Sequence, residues 1–360
     1  MEVKEIDAGG HPVVLGRDAL RALDRTLAHG GFSAAFILGD ENTLRHCLPE
    51  LLSQVPRLRD ARSLVVPPGE RSKDLSVSTD IWQHLAEEAA DRHALLVCLG
   101  GGVVTDLGGF VAGTYKRGIR CVHVPTSLMG MVDAAIGGKT GVDLAGLKNM
   151  VGVFHDPLAV YLHLPFLKSL GKRELLNGLA EMIKHGLIRD ADLWNAINGA
   201  ALHDIDALSP LVVRSAAIKA EVVKADPREA GLRKVLNFGH TIGHGIEAHS
   251  WESPQRALLH GEAVAIGMVC EAWLSWRMDL LSREAYDSIA KQLLALYKPY
   301  QFDSGDDHRL VELMRNDKKN TGGQFRFTLL TAIGQAKVDV HVTAAQVQEA
   351  LEHYRLLVRS

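Results

Sequence analysis

Short apolar runs alternate with amphipathic helical patterns over the first half of the chain. The apolar runs read as buried strands, and each is closed by Gly, Pro, Asp or Thr; they span residues 34–40, 61–70, 94–102 and 119–126. The helical patterns lie near residues 18–29, 74–90 and 103–113. This order predicts βαβ units and a mostly parallel, Rossmann-like sheet, whose ligands bind at the carboxyl ends of the strands.

The pattern changes at about Leu170. Long amphipathic helical patterns then dominate, as at residues 284–298 and 344–357, apart from a strand-like run at 325–336. A chain of 360 residues is long enough for about two domains. We therefore expect an α/β domain over residues 1–170 and an all-α domain over residues 171–360.

Two histidines one helical turn apart stand between glycines in the run LNFGHTIGHGIE, residues 236–247. Counting back from His244 in helical steps gives His240, Asn237 and Arg233, so four polar side chains would share one face, which favours a site wall. The three glycines in this run suggest that something approaches the backbone closely. The alternative is a helix packed tightly on a neighbour, with histidines that are hydrogen-bonded in the core.

Three further residues, Glu181, Lys184 and His260, are candidates for a site together with these histidines. Glu181 and Lys184 lie three apart in an apolar segment, where the carboxylate is either a metal ligand or half of an ordinary ion pair. His260 opens an apolar helical run. Together Glu181, His240 and His260 would supply one carboxylate and two imidazoles from three helices, as a catalytic Zn²⁺ site requires. The HxxxH spacing lacks the glutamate of HExxH, which disfavours a zincin protease.

Glycine-rich stretches in the first half are candidates for phosphate binding. The triplet at residues 100–102 ends a strand and opens a helix, which is typical of either a phosphate site or a tight turn. Thr105 breaks the GxGxxG fingerprint. Residues 135–141 resemble a Walker A loop, but Asp133 stands where that motif needs glycine, so we do not expect ATP hydrolysis.

Composition and charge narrow the function classes. The composition, with 47% hydrophobic and 23% charged residues, is ordinary for a soluble globular protein. The net charge of −3 gives no excess of positive charge for binding nucleic acid. The start of the chain has no apolar signal region, and no run of about 18 apolar residues occurs, so we expect a cytoplasmic protein without a membrane span. The four cysteines lack CxxC spacing and read as reduced core residues.

Several cations lie beside glycines or aligned polar residues rather than on plainly solvated helix faces. Fixed ammonium and guanidinium groups of this kind suit an anionic substrate, although most lysines are merely solvated. The set comprises Arg117, Lys139, Lys148, Lys184, Lys219, Arg233, Lys318 and Lys319.

Taken together, these motifs resemble the 3-dehydroquinate synthase family of sugar phosphate cyclases. The resemblance runs in order from about residue 40 to residue 332 and includes residues 100–118, 124–142, 178–188, 236–247, 259–268 and 317–320. It implies an NAD-binding α/β domain joined to a helical metal-binding domain, with the active site between them, in a homodimer. It also implies conversion of 3-deoxy-D-arabino-heptulosonate 7-phosphate to 3-dehydroquinate and phosphate. In that family NAD transiently oxidises the substrate, phosphate is eliminated, the ketone is reduced again, and an intramolecular aldol closure forms the ring.

The resemblance also assigns residues to roles. The metal, Zn²⁺ or Co²⁺, would be held by Glu181, His240 and His260. His244 would serve a proton relay beside the phosphate, and Asp133, Lys184 and Asn237 would face the substrate hydroxyls. Phosphate would be bound by Lys139, Asn149, Lys318 and Arg117, the last reaching across the dimer. The substrate carboxylate would be bound by Lys219 and Arg233. NAD would be bound by Asp40, Asn42, Glu70, Lys73, Gly101, Gly102, Val103, Asp106, Thr126, Ser127, Met129, Asp133, Lys139, Lys148, Phe166, Leu167, Lys168 and Ser169.

Small departures from the family pattern occur at Ser127, Leu147 and Gly171, and they affect loop geometry rather than functional groups.

The alternatives are another cyclase, such as 2-epi-5-epi-valiolone synthase or 2-deoxy-scyllo-inosose synthase, and a metal-dependent polyol dehydrogenase. Outside enzymes, a non-catalytic NAD-binding protein of the same fold is the remaining alternative. A dehydrogenase would not need the Lys219 and Arg233 pair.

Overall fold

The computed structural model describes residues 4–144, 147–201, 204–315 and 325–359. The chain divides into two compact units, and each unit draws on two segments. The first comprises Met1–Leu175 and His203–Pro227, and the second comprises Leu176–Leu202 and Arg228–Ser360. The domain boundary near residue 170 stays a prediction.

A seven-stranded sheet forms the centre of the first unit, in the order β1-β2-β9-β6-β5-β3-β4. The first strand pairs antiparallel with the second, and the other neighbouring pairs in this sheet are parallel. The prediction of a mostly parallel sheet is therefore confirmed. Its strands are β1 (Lys4–Asp7), β2 (Pro12–Leu15), β3 (Ala35–Asp40), β4 (Arg62–Val66), β5 (Leu95–Gly100), β6 (Arg120–Pro125) and β9 (Val160–Leu162).

Two antiparallel hairpins lie outside this sheet. One joins β7 (Lys139–Leu144) to β8 (Leu147–Phe154) in the first unit, and the other joins β10 (Phe325–Ala332) to β11 (Gln335–Val342) in the second. The strand-like run predicted at residues 325–336 covers β10 and the start of β11, whereas the sequence pattern indicated neither strand of the first hairpin. The Walker-like run leads through the turn at Gly137 and Gly138 into β7, with Lys139 as the first strand residue.

Helices occupy most of the remaining chain. They are α1 (Ala19–His29), α2 (Glu41–His46), α3 (Leu48–Gln54), α4 (Leu75–Glu87), α5 (Gly102–Thr114), α6 (Lys172–Arg189), α7 (Ala191–Gly199), α8 (Ile205–Ala225), α9 (His240–Trp251), α10 (His260–Arg277), α11 (Arg283–Leu296), α12 (Asp307–Arg315) and α13 (Ala344–Arg359). Within the described ranges, no helix is both long and apolar enough to cross a membrane. The predicted helices near 18–29, 74–90, 103–113, 284–298 and 344–357 are present.

Apolar side chains of the seven-stranded sheet form the hydrophobic core of the first unit. Every residue of β5 is buried, and its neighbours Phe36 and Leu38 on β3 are also buried. The apolar face of α5, with Leu107 and Val111, packs into the same cluster. The four cysteines are buried and free, as expected.

One expectation about the second unit is wrong in its geometry. Arg233 and Asn237 do not share a helix with the histidines, because Leu232–Asn237 forms a 3₁₀ helix and Gly239 follows with φ +79°. This left-handed backbone interrupts the helical path, so α9 begins at His240. The predicted polar face is therefore divided, with Arg233 and Asn237 in the 3₁₀ helix and His240 and His244 in α9.

Close helix packing accounts for the glycines of this region. A Cβ on Gly243 would lie 3.1 Å from the Cα of Val264, and a Cβ on Gly267 would lie 1.9 Å from the carbonyl oxygen of Gly239. Backbone of α10 therefore approaches backbone of α9 directly. Gly245 instead faces Met314 of α12. For the glycines, the explanation by packing on a neighbouring helix is correct.

Replacing Gly267 with Ala should destabilise the protein by about 1–3 kcal/mol, because the added methyl meets backbone atoms that cannot rotate away. Gly199→Ala is the matched control, since a Cβ at that position would meet no atom of the described residues within 4 Å. We expect that variant to be neutral or slightly stabilised. Urea unfolding of both variants measures the difference, and equal stabilities would contradict this packing.

Candidate active site

Three helices of the second unit bring one carboxylate and two imidazoles together. Glu181 on α6 is completely buried, and its Oε1 lies 3.6 Å from Nε2 of His240 and 3.5 Å from Nε2 of His260. His240 and His260 are the first residues of α9 and α10. The three predicted metal ligands therefore converge on one point.

Lys184 occupies the other side of the Glu181 carboxylate. It lies one turn further along α6, is buried, and forms an ion pair with Oε2 of Glu181. The two interpretations of this glutamate from sequence are thus compatible. One carboxylate oxygen pairs with a cation of its own helix, while the other faces the imidazoles.

The ring nitrogens remote from Glu181 have partners that orient both histidines. Nδ1 of His240 lies 3.1 Å from the carbonyl oxygen of Phe238, and Nδ1 of His260 lies 3.3 Å from Oε2 of the buried Glu247. Burial lowers the pKa of His260, but the carboxylates of Glu247 and Glu181 outweigh it and raise that pKa to about 9. A divalent cation at this position would therefore replace a proton.

His244 lies in the same cluster, one turn after His240. Its ring centroid is 5.2 Å from that of His240 and 5.8 Å from that of His260. Nitrogen atoms of the three histidines lie within 4.8 Å of one another, so they could hold a metal ion together. The geometry alone leaves His244 as either a further ligand or a proton carrier beside the metal.

The donor set fits a catalytic zinc or cobalt ion. One carboxylate oxygen and two imidazole nitrogens match the ligands that Zn²⁺ takes in hydrolytic and lyase sites, and three protein ligands leave a position for substrate. The second carboxylate, on Glu247, contacts the ring nitrogen of His260 that is remote from Glu181, and such a carboxylate contact is usual for metal-bound imidazoles.

Residues predicted to bind NAD gather at one edge of the first-unit sheet. Asp40, Gly100 and Pro125 end the neighbouring parallel strands β3, β5 and β6, so the residues that follow them meet at the carboxyl edge. Gly101 is the N-cap of α5, and a Cβ there would lie 3.1 Å from Oγ of Ser127. The N-terminal amides of α5 point at this edge, where a pyrophosphate could accept from them.

Charged pairs surround this edge. Nζ of the buried Lys73 lies 2.5 Å from Oδ2 of Asp106, and Nζ of Lys148 lies 3.3 Å from Oε1 of Glu70. Burial raises the pKa of the Asp106 carboxyl. Burial also lowers the pKa of Lys73, but the carboxylates of Asp106 and Glu70 outweigh that effect and raise it, so the ammonium stays charged.

Other residues predicted to bind NAD take part in helix capping or in the packing of the protein. Oδ1 of Asp40 accepts the amides of Asn42 and Thr43 at 2.9 Å and so caps α2. Phe166 and Leu167 are buried among the apolar core residues. Val103 and Met129 are partly buried, while Lys168 and Ser169 close the 3₁₀ segment Leu164–Ser169.

The predicted substrate residues are distributed over both units. In the first, Nζ of Lys219 lies 2.6 Å from Oδ1 of Asp133, while Lys139, Asn149 and Arg117 are exposed. In the second, Arg233 is buried, and Nδ2 of Asn237 donates to Oε1 of Glu229 at 2.9 Å. The sequence pattern did not indicate Glu229. This residue lies in the loop before the 3₁₀ helix, and its side chain accepts the hydrogen bond from Asn237. Lys318 lies outside the described residues.

Comparison with known proteins identifies relatives over nearly the whole chain. The family model of the 3-dehydroquinate synthase N-terminal region matches residues 63–177, and that of the C-terminal region matches residues 178–320. A 3-dehydroquinate synthase of Parabacteroides distasonis is 42% identical over 348 residues, which cover 95% of this chain and 97% of that protein.

Solved structures show the same architecture. A 2-epi-5-epi-valiolone synthase of Streptomyces hygroscopicus with bound NAD⁺ and Zn²⁺ is 27% identical, with a TM-score of 0.84 over 99% of both chains. A 2-deoxy-scyllo-inosose synthase with carbaglucose-6-phosphate, NAD⁺ and Co²⁺ is 22% identical, with a TM-score of 0.86 over 98% of this chain and 99% of that chain. The second likeness bears on the fold alone.

Paired histidine variants separate the possible roles of His240 and His244. His240→Ala should lose most of the bound metal, because two remaining ligands hold a divalent ion poorly. His244→Ala should keep close to one metal ion per chain and lose turnover. Elemental analysis of the purified variants measures the metal, and retention of stoichiometric metal by His240→Ala would exclude His240 as a ligand.

Proposed function

Since the chain belongs to the 3-dehydroquinate synthase family, we propose that the residues described above carry out the reaction of that family in specific roles. The enzyme converts 3-deoxy-D-arabino-heptulosonate 7-phosphate to 3-dehydroquinate and phosphate, with NAD and a divalent metal as cofactors. The observation that carries the site assignment is the convergence of Glu181, His240 and His260 on one point.

The metal and NAD have separate binding residues in this proposal. Glu181, His240 and His260 hold the metal, which polarises a substrate oxygen when bound. When bound, NAD would supply reversible hydride transfer without being consumed. The amides at the N-terminus of α5, together with Gly101 and Gly102, bind its pyrophosphate. Glu70, Lys73 and Asp106 bind the ribose of NAD. Their ion pairs, Lys73 with Asp106 and Lys148 with Glu70, restrict the conformations of these side chains.

Phosphate binding and elimination require cations and a proton carrier. Lys139, Asn149 and Arg117 are exposed polar groups of the first unit that suit a phosphate, and Lys318 is assigned the same role from the motif. His244 neighbours the metal ligand His240, and we assign it to proton transfer at the eliminated phosphate. Lys184, Asp133 and Asn237 bind the substrate hydroxyls.

Carboxylate recognition distinguishes this cyclase from those acting on neutral-ended sugars. Arg233 is only 3% exposed and Lys219 is 7% exposed, so neither charge is solvated as a surface cation would be. A guanidinium binds a carboxylate through two parallel hydrogen bonds, and an ammonium adds a third donor. A substrate that carries a carboxylate gains these charge-assisted hydrogen bonds, and a neutral-ended sugar does not, which favours the carboxylate-bearing substrate.

The proposal extends to assembly and location. Arg117 is exposed with φ +68°, and the nearby strand β8 exposes the apolar residues Met150 and Phe154. These features support a homodimer in which Arg117 serves the partner's phosphate site. The four reduced cysteines suit a reducing compartment, so we propose a cytoplasmic enzyme.

A phosphate-release assay tests the proposed function. With catalytic NAD and Zn²⁺ or Co²⁺, the heptulosonate should release phosphate and form a product with the mass of 3-dehydroquinate, without accumulation of reduced NAD. Sedoheptulose 7-phosphate and glucose 6-phosphate should give little turnover. Preference for either neutral sugar would place the chain among other cyclases, and stoichiometric NADH would indicate a polyol dehydrogenase.

Replacing Arg233 with Ala should lower kcat/KM for the heptulosonate by about 30- to 1,000-fold, equivalent to roughly 2–4 kcal/mol for a lost buried charge contact. Lys234→Ala is the matched control, because Lys234 forms a partly exposed ion pair with Asp339 at 2.8 Å. It should change kcat/KM little. Thermal unfolding confirms that both variants are folded. Unchanged kcat/KM in Arg233→Ala would remove Arg233 from the carboxylate site.

A further inference from the structure

Side chains of other helices accept hydrogen bonds from the first turns of α9 and α10, the helices that begin with His240 and His260. His240 and His260 are the first residues of α9 and α10, so the position of each imidazole depends on where its helix begins. The residue before His240 is Gly239, which has no side chain to accept from the helix amides. A side chain of another helix supplies that contact instead. The start of α10 has a local contact, because Glu262 accepts the amide of Leu259 at 2.8 Å, and a second acceptor that belongs to another helix.

Glu271 of α10 accepts from the first turn of α9. Its Oε2 accepts the amide of Gly239 at 2.6 Å, and its Oε1 accepts the amide of Ile242 at 3.1 Å. The carboxylate is completely buried. These are the N-cap and third-residue amides that a capping box serves, although here the acceptor is 32 residues away. The negative charge also lies at the favourable end of the α9 dipole.

Asn177 of α6 does the same for α10. Its Oδ1 accepts the amide of Gly261, the residue after His260, at 2.7 Å. A Cβ on Gly261 would lie 2.0 Å from the carbonyl oxygen of Asn177, so the start of α10 rests on the backbone of α6. Asn177 lies one turn before Glu181, so this hydrogen bond joins the helix of the carboxylate ligand to the helix of an imidazole ligand.

We propose that Asn177 and Glu271 are positioning residues of the metal centre, which set the separation of Glu181, His260 and His240 before the metal binds. Asn177 ties α10 to α6, and Glu271 ties α9 to α10. They act through the first helical turns, where a small shift moves an imidazole nitrogen away from the geometry that a divalent ion requires.

Metal affinity and the Co²⁺ absorption spectrum test this inference, which rests on the proposed metal centre. Gln at position 271 keeps one acceptor but directs an N–H₂ group at the second backbone amide, so the turn must shift. We expect Glu271→Gln and Asn177→Ala each to weaken Zn²⁺ binding by about 10-fold or more and to alter the Co²⁺ d–d bands. Asn177→Asp retains an acceptor oxygen and should restore binding to near the wild-type affinity.

Ser275→Ala separates positioning from general stability. Ser275 lies one turn after Glu271; its Oγ accepts the amide of Leu330 at 3.0 Å and donates to the backbone carbonyl of Glu271 at 2.7 Å, so its loss leaves the Glu271 carboxylate itself unchanged. This variant should lose thermal stability while keeping wild-type Zn²⁺ affinity and Co²⁺ bands. Wild-type affinity and bands in both Glu271→Gln and Asn177→Ala would overturn the inference. Absence of metal binding by the wild-type protein would overturn the proposed metal centre, and the inference with it.

Amide hydrogen exchange in the metal-free wild-type protein tests the inference without any substitution. The amides of Gly239, Ile242 and Gly261 should exchange slowly, because their acceptors hold them before metal arrives. If these amides exchange at the rate of an unfolded chain and become protected only on addition of Zn²⁺, the metal orders the turns and the two residues do not prepare the site.

Discussion

The second unit is built around the burial of one carboxylate. An isolated ionised carboxylate in the interior is strongly unfavourable unless cations and hydrogen bonds compensate it. Glu181 meets this requirement with Lys184 on one oxygen and two imidazoles near the other. Bringing these groups together forces three helices into close contact, and glycines at positions 243, 261 and 267 permit that approach. A divalent cation would complete the compensation of charge.

In the proposed function the first unit binds the anionic groups of the cofactor and the substrate. Its parallel sheet delivers the ends of β3, β5 and β6 to one edge, where helix amides and the charged pairs of Lys73 and Lys148 are held in place. The rigid sheet fixes the backbone, and the ion pairs limit the side-chain conformations. In the proposed function the two units contribute separate chemistries, nucleotide and phosphate binding in one and metal chemistry in the other.

Local sequence patterns predicted many of the regular elements and selected Glu181, His240 and His260, which the fold brings together, because hydrophobic periodicity and motif spacing are local properties. They misjudged Arg233 and Asn237, since the helical count ran through Gly239, whose left-handed backbone breaks the helix. They missed the β7–β8 hairpin, where glycines interrupt the alternation of strand residues. They could not indicate Asn177 or Glu271, because the amides that these residues bind lie 84 and 32 residues away in sequence.

Anomalous X-ray diffraction at the zinc edge, from crystals of the protein grown with Zn²⁺, tests the central claim most directly. We predict one strong peak about 2.0–2.2 Å from a carboxylate oxygen of Glu181 and from Nε2 of both His240 and His260. A peak coordinated by the three histidines without Glu181, or located elsewhere in the protein, would contradict the account.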